Sequence, residues 1–183
     1  IRARSPSRGL GDVYQRQGFD ILPGIAPLGV GSKSSAGIVA AVNHAMHIAS
    51  ANIYGYTGGN GSAKQLKKTN AVMDATINEF GCLEGKFKIL TGDFNADIDK
   101  IHGCTELIKK GWKDVGAVAH IWGGTDKEHT CVTANSKKGT RRDFMLVSPE
   151  LFPYIKTFEV IHKNGLPTHS TLRIGISLKL STG

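Results

Sequence analysis

Hydrophobic and polar residues alternate most regularly near the end of the chain, over residues 171–180. The apolar members of this stretch are Leu172, Ile174, Ile176, Leu178 and Leu180. A period of two predicts a β-strand with one face buried and the other in water. Shorter apolar segments predict further strands at 37–42, 47–54, 86–91, 130–133, 142–147 and 154–161. The first two of these are close enough along the chain to pair with each other.

The clearest helical pattern follows the glycine-rich loop at residues 55–62. Ser62 can cap a helix that runs to about Phe80, where Gly81 would end it. Four apolar residues recur at helical spacing and predict one face turned to a core: Leu66, Met73, Ile77 and Phe80. Residues 105–110 predict a second, shorter helix closed by Gly111. Many strands with about two substantial helices indicate a mixed α/β domain of packed sheets flanked by helices.

Residues 1–35 are rich in Gly, Pro, Ser and Arg and show no sustained periodicity. This composition predicts irregular structure, with a short helical piece near residues 13–17. The chain begins with Ile1 and has no apolar segment typical of a signal peptide, so we expect a fragment of a longer protein. We therefore treat residues 1–183 as a single domain whose first 35 residues are irregular.

Composition narrows the choice of partner and compartment. Apolar residues make up 40% and charged residues 21% of the 183 residues, which is typical of a globular protein. No apolar run approaches the roughly 20 residues of a membrane span. The three cysteines are too few and too scattered for a disulfide framework, which favours a reducing compartment, nuclear or cytoplasmic. They also lack CxxC spacing, which argues against a structural zinc site. The net charge of +8 fits either a polyanionic partner or ordinary solubility.

An acidic segment directly follows the predicted strand at 86–91. Asp93 and Asn95 are two residues apart, so on an extended backbone both side chains can project to one side. A carboxylate can orient or deprotonate water, and an amide can donate to a phosphoryl oxygen. The same residues also favour a simple tight turn. A calcium-binding loop is excluded, because Ile98 and Cys104 occupy the positions that require Gly and Glu.

Several motifs in order along the chain resemble the endonuclease/exonuclease/phosphatase (DNase I-like) family. The string ILTGDFNADI at residues 89–98 is similar to the family signature. Residues 52–57 (NIYGYT), 142–148 (RDFMLVS) and 166–172 (LPTHSTL) resemble three further family motifs, and residues 35–42 (SAGIVAAV) an early strand. The resemblance implies a four-layer αββα sandwich with two mixed sheets, N-terminally truncated here. It is nearest to endonucleases that accompany reverse transcriptases and to abasic-site nucleases.

The resemblance also implies a role for five residues. Asp93 would orient or deprotonate the attacking water, and Asn95 would help to hold this water and the phosphate. His169 would contact the scissile phosphate, while Asp143 would hydrogen-bond His169 and favour its protonated form. Tyr54 would contribute a hydroxyl group. The other histidines match no family motif and receive no role: His44, His47, His102, His120, His129 and His162.

Two departures from the family pattern concern the metal. The resemblance implies Mg²⁺ or Mn²⁺, held partly by an early Glu, yet residues 1–35 contain no Glu. Thr168 stands where a ligand Asp is expected, and a neutral hydroxyl is a poor ligand for a hard cation. The metal ligands therefore stay unassigned, and we expect the chain alone to be weakly active or inactive.

The substrate is inferred from charge and from the resemblance together. The run SKKGTRR at residues 136–142 carries four cations just before Asp143: Lys137, Lys138, Arg141 and Arg142. They can either contact backbone phosphates or form a solvated turn. We expect an endonuclease acting on nucleic acid, DNA rather than RNA. The alternatives are a catalytically degenerate nucleic-acid-binding protein and a phosphatase acting on a small or lipid phosphate. Oligomeric state is left open.

Overall fold

A six-stranded mixed sheet forms the centre of the fold in the computed structural model, which describes residues 20–25, 35–42, 47–82, 85–132, 138–165 and 168–177. Its strands are β1 (Asp20–Ile25), β2 (Ser35–Val42), β3 (His47–Tyr54), β4 (Phe87–Asp93), β5 (Lys113–Asp114) and β6 (Asp143–Val147). They lie in the order β1-β2-β3-β4-β6-β5. Neighbouring strands are antiparallel except for β3 and β4, which are parallel and are joined by a helix. A crossover helix is the usual link between parallel neighbours.

A second, two-stranded sheet and two α-helices complete the described architecture. Strands β7 (Ile155–Ile161) and β8 (Thr171–Ile176) pair antiparallel. The helices are α1 (Ala63–Cys82) and α2 (His102–Lys109), and short 3₁₀ segments occupy Ile98–Lys100, Val115–Trp122 and Phe152–Tyr154. None of the helices in these ranges has the length and hydropathy needed to cross a bilayer.

The two faces of the central sheet bury different cores. Ile53, Leu90 and Phe144 on one face pack with helix residues that include Val72 and Met73. On the opposite face, residues of β3 and β6 pack with residues of the second sheet, and the main contributors are Ile48, Met145, Val147, Ile155 and Phe158. Because successive side chains of a strand point to opposite faces, the central sheet separates a helical layer from the second sheet.

Helix α1 confirms most of the helical pattern in the sequence. Met73 and Phe80 are buried, and Leu66 and Ile77 pack against the same core. The Ser62 hydroxyl accepts a hydrogen bond from the backbone N–H of Gln65 at 3.4 Å, as expected of a capping residue.

The end of α1 differs from the prediction, since the helix continues through Gly81 to Cys82. The Lys88 ammonium, on the neighbouring strand β4, donates to the carbonyl oxygens of Phe80 at 3.0 Å and Gly81 at 3.5 Å. A lysine that satisfies the last carbonyl groups of a helix makes an early stop unnecessary.

The prediction of irregular structure throughout residues 1–35 is wrong for residues 20–25, which form β1. This strand lies at the edge of the sheet, and its register against β2 shifts between Leu22 and Ile25, where Pro23 and Gly24 lie. Proline and glycine are tolerated at edges and bulges but hide a strand from pattern analysis. The helical piece near 13–17 lies outside the described residues.

Two other predicted boundaries change. Within residues 130–133, only Cys131 forms β-bridges, with Thr140 and with His169, and residue 133 lies outside the described ranges. Helix α2 begins at His102 rather than near 105, and Gly111, with a φ of +93°, follows its end. Strands β2, β3, β4, β6 and β7 occur within a few residues of their predicted positions. The final strand is described to Ile176.

Candidate active site

Three of the side chains singled out by sequence form one row across the ends of adjacent strands. Tyr54 on β3 is in register with Asp93 on β4, and Asp93 is in register with Asp143 on β6. Side chains in register on neighbouring strands project to the same face at about 5 Å separation. The three therefore share one face and one edge of the central sheet.

The backbone at this edge explains why the segment has the sequence Gly-Asp-Phe-Asn. Gly92 has a φ of +143°, and a side chain there would overlap the carbonyl oxygen of Ile53 on β3. Phe94 is fully buried and stacks on Phe144, with ring centroids 5.2 Å apart. Glycine thus permits close approach of two strands, and the aromatic ring anchors the chain on the helical side. Asp93, between them, is directed to the other face.

Asn95 orients the Asp93 carboxylate. Its backbone is left-handed, with a φ of +51°, and its N–H donates to Asp93 Oδ1 at 3.0 Å. The side-chain amide donates to Asp93 Oδ2 and to the carbonyl oxygen of Gly55, both at 3.0 Å. Both amide hydrogens are thus used within the site. The turn and the contact between the side chains of Asp93 and Asn95, which the sequence left as alternatives, therefore occur together.

His169 lies beside both aspartates in the folded structure, although it is distant from them in sequence. Its Nδ1 lies 2.9 Å from Asp143 Oδ2, and its Nε2 lies 3.8 Å from Asp93 Oδ2. The Asn164 side chain holds the histidine backbone by donating to its carbonyl oxygen at 3.0 Å. Turns separated by many residues therefore converge at one place, as the motif resemblance predicts.

The surroundings of Asp93 disfavour the ionised form of its carboxylate. Burial raises the pKa of Asp93, and the neighbouring Asp143 carboxylate raises it further. The N–H of Asn95 and the His169 ring act in the opposite direction without cancelling the effect of burial on this pKa. A cation or another hydrogen-bond donor entering this space would be stabilised by both carboxylates.

Asp93, Asp143 and His169 are arranged so that they can hold a metal ion. One ligand atom from each lies within 4.8 Å of the others. Carboxylate oxygens are suitable ligands for Mg²⁺ or Ca²⁺, whereas imidazole suits transition metals better. The two carboxylates therefore fit a hard cation that takes its remaining ligands from water or phosphate. Thr168, which stands where the family resemblance implies a ligand Asp, is exposed.

A cavity of about 220 Å³ opens beside the two carboxylates. Its lining comprises residues of β3, β4, β6 and the start of β8, namely Asn52, Thr91, Gly92, Asp93, Asp143, Ser170 and Leu172. Tyr54 belongs to the row of strand ends, with 44% of its surface exposed, but it is not part of this lining. Most of the residues that line the cavity are polar, and Leu172 adds an apolar side chain.

Thr130 supports the site and was not singled out from the sequence. It is buried, and its hydroxyl oxygen accepts hydrogen bonds from the backbone N–H groups of Arg142 at 3.0 Å and Asp143 at 2.9 Å. Its carbonyl oxygen accepts from the N–H of Ser170 at 2.7 Å. One residue thus fixes the backbone before β6 and the backbone beside His169. No local pattern marks such a residue, because both contacts are long-range.

The two arginines of the cationic run before β6 pair with different aspartates. The Arg141 guanidinium is buried against the Asp114 carboxylate, at 2.7 Å, and lies over the Phe144 ring. Arg142 pairs with Asp97 at 3.2 Å. Lys138 is exposed, and Lys137 lies outside the described residues. Both arginines therefore stabilise the fold in this structure, and Lys138 is the described member of the run that lies on the surface.

Comparison with solved structures finds the same fold in DNA-processing enzymes. A 3′-5′ exonuclease (NExo) from Neisseria meningitidis matches with a TM-score of 0.58 and 14% identity, over 93% of this chain and 84% of that chain. An AP endonuclease from Archaeoglobus fulgidus matches with a TM-score of 0.57 and 14% identity, over the same shares.

A third match is TDP2 from D. rerio in complex with a single-strand DNA product. Its TM-score is 0.58 at 15% identity, and the alignment covers 82% of this chain and 63% of that chain. No protein-family model and no curated protein sequence matches the chain. At these identities the similarity establishes the fold, and the chemistry has to be argued from the site itself.

Proposed function

Because this chain has the endonuclease/exonuclease/phosphatase (DNase I-like) fold, we propose that it hydrolyses phosphodiester bonds in nucleic acid. The observation that carries the proposal is the convergence of Asp93, Asp143 and His169 beside an open cavity, with a 2.9 Å hydrogen bond between the imidazole and Asp143. Carboxylates and an imidazole around one phosphate-sized space are the groups that phosphoryl chemistry uses.

Each residue has a distinct proposed task. Asp93 orients the attacking water and accepts a proton from it. Asn95 keeps the Asp93 carboxylate in one orientation. Asp143 fixes the ring of His169, and the Nε2 of that ring can donate to the developing charge on the phosphate. Tyr54, at the rim, is proposed to contact a more distant part of the substrate.

A divalent cation, Mg²⁺ or Mn²⁺, would be held by the carboxylates of Asp93 and Asp143. When bound, it would neutralise negative charge on the phosphate. The protein's own contribution is to hold two carboxylates in register and to place the imidazole between them. The raised pKa of Asp93 describes the site without this cation.

Nucleic acid is the proposed substrate class, and DNA is favoured over RNA. The net charge of +8 supports a polyanionic ligand contacted mainly through phosphates. The fold match to a TDP2 structure holding a single-strand DNA product supports DNA. Endonucleolytic cleavage is the proposed reaction, and binding should weaken steeply as salt is raised.

Comparison of Asp93→Ala with the parent protein tests the proposal. We expect weak cleavage of single- and double-stranded DNA in Mg²⁺ or Mn²⁺ by the parent chain, as its departures from the family's metal ligands predict, and a further loss of at least about 100-fold in kcat on substitution, as for removal of a catalytic base. Asp126→Ala is the matched control, since Asp126 is an exposed aspartate paired with His120 and lies outside the site.

Two outcomes would favour other functions. In the first outcome, the parent protein cleaves none of the DNA or RNA substrates, and Asp93→Ala binds DNA with the same affinity as the parent. The protein would then bind nucleic acid without catalysis. Release of phosphate from an inositol phosphate, with DNA and RNA left intact, would identify a phosphatase instead. Either result would contradict nuclease activity.

A further inference from the structure

A second chain of polar side chains approaches the same cavity from the protein surface. Glu128 Oε1 lies 2.8 Å from His162 Nε2, and His162 Nδ1 lies 2.8 Å from the hydroxyl oxygen of Ser170. Glu128 is distant in sequence from the other two residues, so the arrangement depends on the folded structure. Ser170 lies in the motif at residues 166–172, whereas Glu128 and His162 belong to none of the motifs recognised in the sequence.

Ser170 has the only hydroxyl of this chain of contacts, and it lies beside the proposed catalytic residues. It follows His169 directly and lines the cavity together with Asp93 and Asp143. Its backbone N–H is fixed by the carbonyl oxygen of Thr130 at 2.7 Å. A small polar side chain with a fixed backbone at the wall of a cavity is well placed to contact a ligand.

The end of β7 holds Ser170 from both sides. His162 contacts its hydroxyl group, and the side chain of Asn164 donates to the carbonyl oxygen of His169 at 3.0 Å and to the hydroxyl of Thr171 at 2.8 Å. The residues before and after Ser170 are therefore both hydrogen-bonded to Asn164. This limits the directions in which the Ser170 hydroxyl can point.

Hydrogen-bond roles along the chain follow from its acceptor-only end. The ionised Glu128 carboxylate accepts from His162 Nε2, which fixes a proton on that nitrogen. Nδ1 then accepts from the Ser170 hydroxyl when the ring is neutral, and donates to it when both ring nitrogens carry a proton. In the second arrangement the Ser170 hydroxyl hydrogen is directed to another acceptor, and each bond polarises the next. An anion in the cavity favours this arrangement.

We propose that Ser170 is a phosphate-binding residue of this cavity and that His162 and Glu128 are its positioning residues. The ligand class is a phosphate group with a non-bridging oxygen, in inorganic phosphate or in a nucleic-acid backbone. The inference rests on the proposed function for the identity of the substrate. It adds a hydroxyl donor to the cavity from the residue that precedes β8, whereas Asp93 and Asp143 come from strands of the central sheet.

The test combines steady-state cleavage of DNA with binding of inorganic phosphate in Mg²⁺, measured by calorimetry. Ser170→Ala should weaken phosphate binding by roughly 10-fold to 100-fold, as for loss of a hydrogen bond to a charged group, and should raise KM more than it lowers kcat. Ser170→Thr keeps the hydroxyl and should recover most of the affinity. His162→Asn should weaken binding by a smaller factor, about 3-fold to 10-fold.

A double-mutant cycle separates positioning from general structural damage. If His162 acts through Ser170, then His162→Asn has no further effect in the Ser170→Ala background, whereas independent sites would give multiplicative losses. His120→Asn is the matched control, because His120 is also exposed and paired with a carboxylate, Asp126, but does not line the cavity. It should leave KM and phosphate affinity unchanged.

The outcomes distinguish this inference from the proposed function. Parent protein that binds phosphate but cleaves no nucleic acid, with weaker binding after Ser170→Ala, would contradict nuclease activity and support the role of Ser170. Unchanged phosphate affinity and KM in Ser170→Ala would overturn the role of Ser170 while leaving the nuclease proposal intact. Failure of the parent protein to bind phosphate at all would also overturn it.

Discussion

Replacement of Thr130 by valine should destabilise the protein far more than replacement by serine. Thr130 is 1% exposed, and its hydroxyl oxygen accepts two backbone hydrogen bonds, from Arg142 and Asp143. Valine has nearly the same shape but no acceptor, so it leaves two N–H groups without this partner. Serine keeps the acceptor and loses one methyl group.

The two losses differ enough to be measured. An unsatisfied buried donor costs about 1 to 3 kcal/mol, so two of them predict a loss of roughly 2 to 6 kcal/mol for Thr130→Val. A buried methyl group contributes about 1 kcal/mol, which is the loss expected for Thr130→Ser. For a chain of this length, 1 kcal/mol shifts Tm by about 2 to 4 °C. Valine should therefore lower Tm by at least about 4 °C, and serine by about 2 to 4 °C.

Urea denaturation followed by circular dichroism measures this difference as a change in midpoint at constant m-value. DNA cleavage below the unfolding transition gives a second measurement. Because Thr130 fixes the backbone of Asp143, valine should also lower kcat, whereas serine should retain most of it. If the valine variant proves as stable as the serine variant, the hydroxyl does not hold the start of β6, and the account of how Asp143 is positioned is wrong.

Three further predictions follow from the same structure. Asp93→Asn should abolish cleavage yet stabilise the fold at neutral pH. Because the pKa of Asp93 is raised in the folded protein, the parent loses stability as pH rises from the ordinary pKa of 3.8 through the folded pKa. The free energies of unfolding of the two proteins should therefore converge at acidic pH, and a difference that persists there would contradict this origin. Arg141→Met leaves the buried carboxylate of Asp114 unpaired and should cost about 3 to 5 kcal/mol of stability in urea denaturation. Arg142→Met removes a pair with the half-exposed Asp97 and should cost no more than about 1 kcal/mol. Equal losses would contradict the argument that burial decides how much each pair contributes. Gly92→Ala should lower the free energy of unfolding by at least about 2 kcal/mol or prevent folding, because the φ of Gly92 is +143° and a Cβ there overlaps β3. The control is Gly81→Ala, in helix α1 with open space around it. Thermal unfolding should show this variant to be neutral or stabilised by about 0.5 to 1 kcal/mol.

Local patterns in the sequence were sufficient to predict most helices and strands, but not the edge strand β1 or the end of helix α1. The alternation in residues 171–176 and the helical stripe of α1 predicted their elements because each buries one face against a core. Strand β1 was missed because Pro23 and Gly24 interrupt it, which an edge strand tolerates. The capping role of Ser62 is local and was predicted. The extension of α1 to Cys82 depends on Lys88, which only the fold brings to the helix end.

The residues of the candidate site likewise include some that local sequence patterns predicted and some that they did not. The motifs containing Asp93, Asp143 and His169 were found because each has a recognisable local string, and the structure places these residues together. The role of Thr130 could not be predicted from the sequence, since it depends on contacts with residues 12 and 13 positions away. Ser170 lies within a recognised motif, but its contact with His162 was not predicted. The cationic run likewise gave no sign that its arginines pair with acidic side chains inside the fold.

The two central carboxylates show why this edge of the sheet favours binding over stability. Asp93 and Asp143 are directly opposed on antiparallel strands, an arrangement in which like charges destabilise a sheet. The stacked rings of Phe94 and Phe144 on the other face stabilise the same pair of strands. His169 and the amides of Asn95 offset part of the repulsion, yet the pKa of Asp93 stays raised. A bound cation would relieve the remainder, so we expect Mg²⁺ to raise Tm in the parent protein and much less in Asp93→Asn. Equal shifts in both would place the cation elsewhere.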